Sequence, residues 1–182
     1  MKRRFYSLLL VLSLLACVCA QAEEQVAMRI VACPEQGFAT LCKPEYDYYF
    51  TDDGGIMIEL GAEDDDPWVS IFKTDAPGAD FDAEYYLTNV YRQQVSSAAD
   101  AVVNEGEYTV ITLGQKELPA IMMMYVKEGE SRYRLCAYDL QADYFVRYEV
   151  GCAAMDIPIE DALKALAVAV GNFQPDADYY AK

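Results

Sequence analysis

Between Glu107 and Cys152, apolar and polar residues follow one another in short runs broken by turn residues. Tyr108–Leu113 alternates and is rich in β-branched side chains, and Gly114-Gln115 turns the chain. Glu117–Lys127 is a longer apolar run containing Met122, Met123 and Met124. Glu128-Gly129-Glu130 marks the next turn, Ser131–Asp139 returns, and Leu140–Asp143 leads into Tyr144–Gly151. Such runs, separated by short turns, predict four consecutive antiparallel strands. Side chains alternate between the faces of a strand. Tyr133, Leu135 and Ala137 therefore share one face, and Arg132, Arg134 and Tyr138 share the other. Likewise Tyr144, Val146, Tyr148 and Val150 oppose Arg147 and Glu149. One face is core, and the other carries a basic strip. Pro119 is expected at a place where the ladder needs no donor.

Upstream, Gly37–Lys43 reads as a first strand, followed by Tyr46–Phe50. Asp52-Asp53-Gly54-Gly55 is a strong turn into Ile56–Leu60. An acidic loop, Glu63–Asp66, leads through Pro67 to the strand Trp68–Phe72, with Trp68 assigned to the core. Asp75–Asp80 is a connection. A helix is expected over Asp82–Ala101, capped by Asp80 or Asp82, with Glu84 in its first turn. Its apolar face is Ala83, Leu87, Val90, Tyr91, Ala98 and Ala101, with Gln94 reaching the edge. Pro158 opens a second helix, whose stripe is Ile159, Leu163, Leu166 and Val170 and whose stop is Gly171-Asn172. That helix is apolar nearly all round, so deep burial is expected. The acidic segment 174–182 is expected to be loosely held. The pattern is α+β with an antiparallel sheet, in the order β-β-β-α-β-β-β-β-α.

The start of the chain changes the setting. Residues 1–22 read as a secretory signal: Lys2, Arg3 and Arg4 precede the apolar run Leu8–Leu15, and Ala20-Gln21-Ala22 or Val18-Cys19-Ala20 offers a cleavage site. Leu14-Leu15-Ala16-Cys17 also resembles a lipobox, in which Cys17 would be lipidated. Both routes place the single domain 23–182 outside the cytoplasm. Removing the leader leaves Cys33, Cys42, Cys136 and Cys152, an even count in an oxidising compartment. Three pairings are possible, and buried free thiols are the alternative. The short loop between Cys33 and Cys42 makes a local bridge the expected one. Alternation places Cys136 and Cys152 on opposite faces of the sheet.

Composition then narrows the chemistry. The 182-residue chain has 30 acidic against 14 basic residues, a formal charge of −16 and no histidine. Such acidity disfavours nucleic acid and anionic lipid, so contact with a membrane is expected only through lipidation at Cys17. A partner selected by charge would be cationic. Without histidine there is no Ser-His-Asp or Cys-His arrangement and no His-ligated metal. No phosphate loop or dinucleotide fingerprint occurs, and no cofactor is expected. The clusters Asp75, Asp80, Asp82, Glu84 and Glu63–Asp66 are rich in oxygen ligands, but neither has the spacing of a hand-type calcium loop. Tyrosine is abundant, at 15 residues, and occurs in the pairs Tyr48-Tyr49 and Tyr85-Tyr86, so amphipathic rings are candidates for a recognition surface. Arg132, Arg134 and Arg147 are expected to pair with Glu130 and Glu149, with an anion site as the lesser reading.

Several stretches carry a resemblance. These are Cys33-Pro34-Glu35-Gln36-Gly37-Phe38, Pro67–Phe72, Tyr125 followed by Glu128-Gly129, and Leu163–Leu166 with Asn172-Phe173. With the order of elements, they make the chain resemble the PsbP-like fold and small secreted bacterial proteins of unknown function. The resemblance implies an antiparallel sheet sandwiched between helices, and a binding or assembly role rather than catalysis. Two functions are therefore expected in order. The first is a non-catalytic extracytoplasmic module that binds a protein or cell-envelope partner. The second is a histidine-free hydrolase using paired carboxylates, as in glycoside hydrolysis.

Overall fold

The structure is a computed structural model, which describes residues 27–62, 66–75, 81–153 and 159–181. The expected leader with Cys17, the acidic residues 63–65, Asp80 and Pro158 lie outside the described residues.

The alternating run after Glu107 forms the four strands expected of it: β7 (Tyr108–Leu113), β8 (Lys116–Lys127), β9 (Glu130–Leu140) and β10 (Tyr144–Ala153). The turn between β8 and β9 has positive φ at both central residues, 56° at Glu128 and 80° at Gly129, the two-residue geometry that matches strand twist. Pairing of β8 with β9 ends at Ala120↔Ala137, so the missing N–H of Pro119 interrupts no bond on that side.

The first half holds more strands than its pattern suggests. Beyond β2 (Phe38–Cys42), β4 (Ile56–Glu59) and β5 (Trp68–Asp75), β1 (Arg29–Cys33) and β3 (Asp47–Phe50) are also formed. Helix α1 comprises Ala83–Tyr85, a π-helical turn Tyr86–Tyr91, and Arg92–Ala98. Asp82 caps it, its side chain accepting from the Tyr85 N–H at 3.0 Å. Thr88 and Asn89 bond back to the carbonyls of Glu84 and Tyr85 (2.7 and 3.0 Å) within the widened turn. The inserted residue re-phases the helix, so its buried side chains are Leu87, Tyr91 and Val95, with Gln94 exposed. The helix stops at Ala98 rather than Ala101. Asp100 donates its N–H to Val126 O (2.8 Å) and accepts from the Glu128 N–H (2.6 Å), drawing the chain into β6 (Ala101–Asn104).

The strands form an eight-stranded antiparallel sheet in the order β3-β4-β5-β10-β9-β8-β6, with β7 sharing the β8 edge with β6. Gly106 joins those two strands at φ +72°, and a Cβ there would sit 2.2 Å from Met122 O, so only glycine fits. Arg92 of α1 donates to Gly106 O at 2.9 Å and ties the crossing to the helix.

Helix α2 (Ile159–Gly171) covers one face, burying Ala162, Leu166, Ala169 and Val170 against Ile56, Ile58, Val69, Ile71, Val146, Tyr148 and Val150. Helix α1 covers part of the other, packing Leu87, Tyr91 and Val95 on Ile121, Met123, Cys136 and Tyr138. The α/β/α layering is the one expected. The β1–β2 hairpin lies on the α2 side, where the buried Thr40 hydroxyl donates to Ala169 O at 2.8 Å. The final segment is tied at its start: Ala39 and Gln174 exchange both backbone bonds, at 2.9 and 2.8 Å.

One expectation is overturned. Cys33 and Cys42 are not bridged, and all four cysteines of the domain are free and buried. Cys33 pairs with Phe38 beside the turn, whereas Cys42 pairs with Arg29 at the far end of the same hairpin. Four residues of strand separate these ends by about 13 Å, well beyond the roughly 7 Å limit for a disulfide. A short loop between cysteines implies proximity only if it does not fold into a hairpin that carries them apart.

Candidate functional site

The two faces of the sheet are treated differently by the helices. On the α2 face the core runs from β4 to β8. On the α1 face the buried cluster draws its strand residues from β8 and β9. The β4, β5 and β10 part of that face is left half-open, and the pairing register says which side chains occupy it. Tyr49, Met57, Ser70 and Glu149 form one row across the strands, and Glu59, Trp68, Gly151 and Arg134 form the next. Phe72 and Arg147 form a third. Met57, Trp68 and Phe72 are half-buried, and Tyr49 is 45% exposed.

Glu149 anchors this surface. It is buried, and its Oε2 accepts from Arg134 Nε at 3.1 Å and from the Tyr91 hydroxyl at 3.1 Å. Arg134 Nη2 approaches the same oxygen at 3.0 Å, and Arg147 Nε lies 3.0 Å from Oε1. The Arg147 contact is an ion pair without hydrogen-bond alignment, since Nε finds no aligned acceptor. Arg147 also lies 3.6 Å from Asp53. Burial pushes the Tyr91 phenol well up, and the facing carboxylate pushes it further. Burial opposes the charge of Arg134, but Tyr91 and Glu149 outweigh it and its pKa is raised. Each guanidinium covers an aromatic ring: Arg134 is 5.2 Å from the Trp68 centroid and Arg147 is 5.1 Å from that of Phe72. A carboxylate so surrounded by donors is a structural anchor. It fixes two cations on two rings.

The expected site residues divide accordingly. Arg134 and Arg147 are brought together on Glu149, and Tyr49 lies on the same face. Arg132 pairs with Glu130 at 3.1 Å and lines a small recess with Trp68 and Tyr125. Tyr48 points to the α2 side, where the Arg29 guanidinium lies 4.5 Å over its ring. Tyr86 is packed among Phe81 and Tyr138, while Tyr85 is 61% exposed on α1. Trp68, assigned to the core from its sequence, is half-buried on the open face, and Phe72 and Met57 are further members that sequence reading missed. The signal was available in β5. With Val69 and Ile71 inward, period-two alternation turns Trp68, Ser70 and Phe72 to the other side.

A separate cavity of about 280 Å³ opens on the other face, between α2 and β4–β5. Among the described residues, its lining holds one carboxylate, Asp161. Among the described residues no three acidic or cysteine side chains gather as a metal site. No helix among them is long and apolar enough to cross a membrane.

No family model and no curated protein matches the chain. Solved structures do. Cyanobacterial PsbP (CyanoP) of Synechocystis sp. PCC 6803 aligns with a TM-score of 0.55 at 10% identity, over 84% of this chain and 95% of that one. A Bacteroides thetaiotaomicron VPI-5482 structure aligns with a TM-score of 0.50 at 9% identity, over 80% of this chain. The match spans about half of that protein, 47% of its chain. LpqN of Mycobacterium tuberculosis, a protein involved in cell envelope biogenesis, aligns at 0.48 and 12% identity, over 84% of this chain and 86% of that one. The fold is PsbP-like.

Proposed function

We propose that this PsbP-like domain is a non-catalytic binding or assembly module of the extracytoplasmic space, and that it docks a protein or cell-envelope partner on the half-open face. The observation that carries the reading is the set of Tyr49, Met57, Trp68 and Phe72 around two arginines immobilised on Glu149. Aromatic and arginine side chains held rigid in a partly desolvated surface are the usual anchors of an interface, because little rotamer entropy remains to be lost on binding. The secretory pattern of residues 1–22 supports the compartment. The formal charge of −16 favours a cationic partner and association that slows as salt rises.

The test is affinity capture from envelope extract with the wild-type domain, Tyr49→Ala and Met57→Ala, with Tyr85→Ala as an exposed control away from the face. Loss of the open-face side chains is expected to weaken capture about tenfold or more, with Tyr85→Ala unchanged. A glycosidase and esterase screen runs alongside. Turnover abolished by replacing a single carboxylate in a folded variant would replace this reading with the hydrolase.

A further inference from the structure

We propose that β7 is an interface strand that pairs edge to edge with β7 of a second copy of this chain, joining the two sheets across a twofold axis. Which backbone groups the strand offers follows from the pairing of its neighbours. Lys127 and Glu130 close one two-residue turn, and Leu113 and Lys116 close another. The residues closing such a turn are hydrogen-bonded to each other, and bonded pairs alternate along an antiparallel ladder. Odd-numbered residues of β8 therefore bond to β9, while Lys116, Leu118 and Ala120 bond to Leu113, Ile111 and Thr109. Tyr108, Val110 and Thr112 turn their N–H and C=O groups the other way, where no described strand pairs with them. The edge is open: Val110 is 54% exposed, and Tyr108, Thr109 and Thr112 are exposed as well.

The residues of β7 suit this edge to its own copy. Sheet edges are commonly guarded by charge, proline, a bulge or cover. At the far end of the sheet β3 is only four residues long and carries Asp47, whose side chain is 91% exposed. The β6 strand breaks register between Val102 and Asn104. By contrast β7 runs for six residues, Tyr-Thr-Val-Ile-Thr-Leu, without charge or proline, in a chain with 30 acidic residues. A cationic partner finds no carboxylate on this strand, whereas a second β7 matches it. With the axis at Val110, that residue meets the partner's Val110, and Tyr108 meets the partner's Thr112. Every such pair exchanges both backbone bonds, and an aromatic ring against a β-branched side chain is a favourable cross-strand combination. Like charges do not meet. Each Glu107 lies opposite the partner's Leu113, so the two stand about 20 Å apart along the strands, beyond the screening length of about 8 Å at 0.15 M salt. Beyond the strand ends, Glu105 and Lys116 are paired within their own copy, with Arg92 and Asp139. Charge therefore supplies no attraction, and the formal −16 of each copy is a repulsion that salt screens. An isologous contact of this kind closes at two copies. One strand edge buries less than the roughly 1,000 Å² of a stable interface, so the dimer is weak and reversible.

The experiment follows the whole protein by analytical ultracentrifugation from about 1 µM to 1 mM, at low and at high salt. A monomer–dimer equilibrium is expected, and it should tighten as salt rises. That response is opposite to the one expected for capture of a cationic partner on the open face, so the two readings can fail separately. Val110→Lys places a charge against its own copy at an exposed position, and dimerisation is expected to weaken about tenfold or more with the fold kept. Tyr49→Ala, on the open face, should leave it unchanged. Val110→Cys tests the register. Residues in a hydrogen-bonded pair have Cα atoms about 5.5 Å apart, within disulfide reach, so mild oxidation is expected to join the copies. Thr112→Cys, displaced from its own counterpart by about 13 Å along the strand, is expected to cross-link no more than wild type. The four cysteines of the domain are buried and do not compete. A protein that stays monomeric through the whole range overturns the proposal. So does a dimer indifferent to Val110→Lys, or cross-linking through Thr112→Cys as readily as through Val110→Cys.

Discussion

The indole of Trp68 occupies the space that a side chain at position 151 would need: a Cβ on Gly151 would lie 2.4 Å from ring carbons Cε2 and Cζ2. The two residues are direct partners across β5 and β10, and Arg134, the partner of Gly151 on β9, covers the ring from the other side. The glycine is required here by the close approach of a ring.

Gly151→Ala is therefore expected to destabilise the domain by about 1–3 kcal/mol through overpacking. In an open strand, the same change would stabilise by less than about 1 kcal/mol. Urea denaturation measures the difference. Fluorescence of the sole tryptophan should shift to the red as the ring is displaced toward solvent. An unchanged emission together with a gain in stability would contradict the packing described.

Tyr91 and Glu149 join the π-helical turn of α1 to the sheet. Tyr91→Phe leaves Glu149 with both arginines and is expected to cost about 1.5 kcal/mol, the lower end for a bond to a charged group. Glu149→Gln leaves two guanidiniums without their carboxylate and is expected to cost about 3 kcal/mol. Because the two side chains touch, their double mutant should fall short of the sum by about 1 kcal/mol. Strict additivity in the thermodynamic cycle would show that the bond does not contribute in solution.

Burial raises the phenols of Tyr91, Tyr138 and Tyr148, and it also raises the thiol of Cys136. The neutral forms are thus favoured in the fold. Below about pH 8.5 both states keep these protons, and the stabilisation is fully present. Above it the unfolded chain loses thiol protons, and near pH 10 phenol protons, while the folded chain retains them. Stability should fall with rising pH by about 1.4 kcal/mol per unit for each group titrating only when unfolded. Urea midpoints at pH 7, 9, 10 and 11 test this, and a midpoint unchanged to pH 11 would contradict it.

Alternation and turn chemistry made much of the fold legible in the sequence. The face assignments of Leu135, Val146, Tyr148 and Val150 follow from a period of two. Leu166 and Val170 of the α2 stripe follow from its helical period, although Ala162 and Ala169 take the other buried places and Ile159 and Leu163 are half-buried, and the pairing of Arg134 and Arg147 with Glu149 follows from their shared side. These are local properties, decided by the direction of each side chain relative to its neighbours in the chain. The end of α1 was not legible, because Asp100 is held by β8 and its turn, distant in sequence. The buried face of that helix shifted because a π-helical turn inserts a residue without a compositional mark. The short connection between Cys33 and Cys42 suggests proximity, whereas the hairpin they belong to sends them to opposite ends. The half-open face and the cavity exist only in the tertiary structure. Which half of a sheet a helix covers, and where Ala165 faces Ile58 and Val69, depend on how separate elements pack, and no periodicity along the chain encodes that.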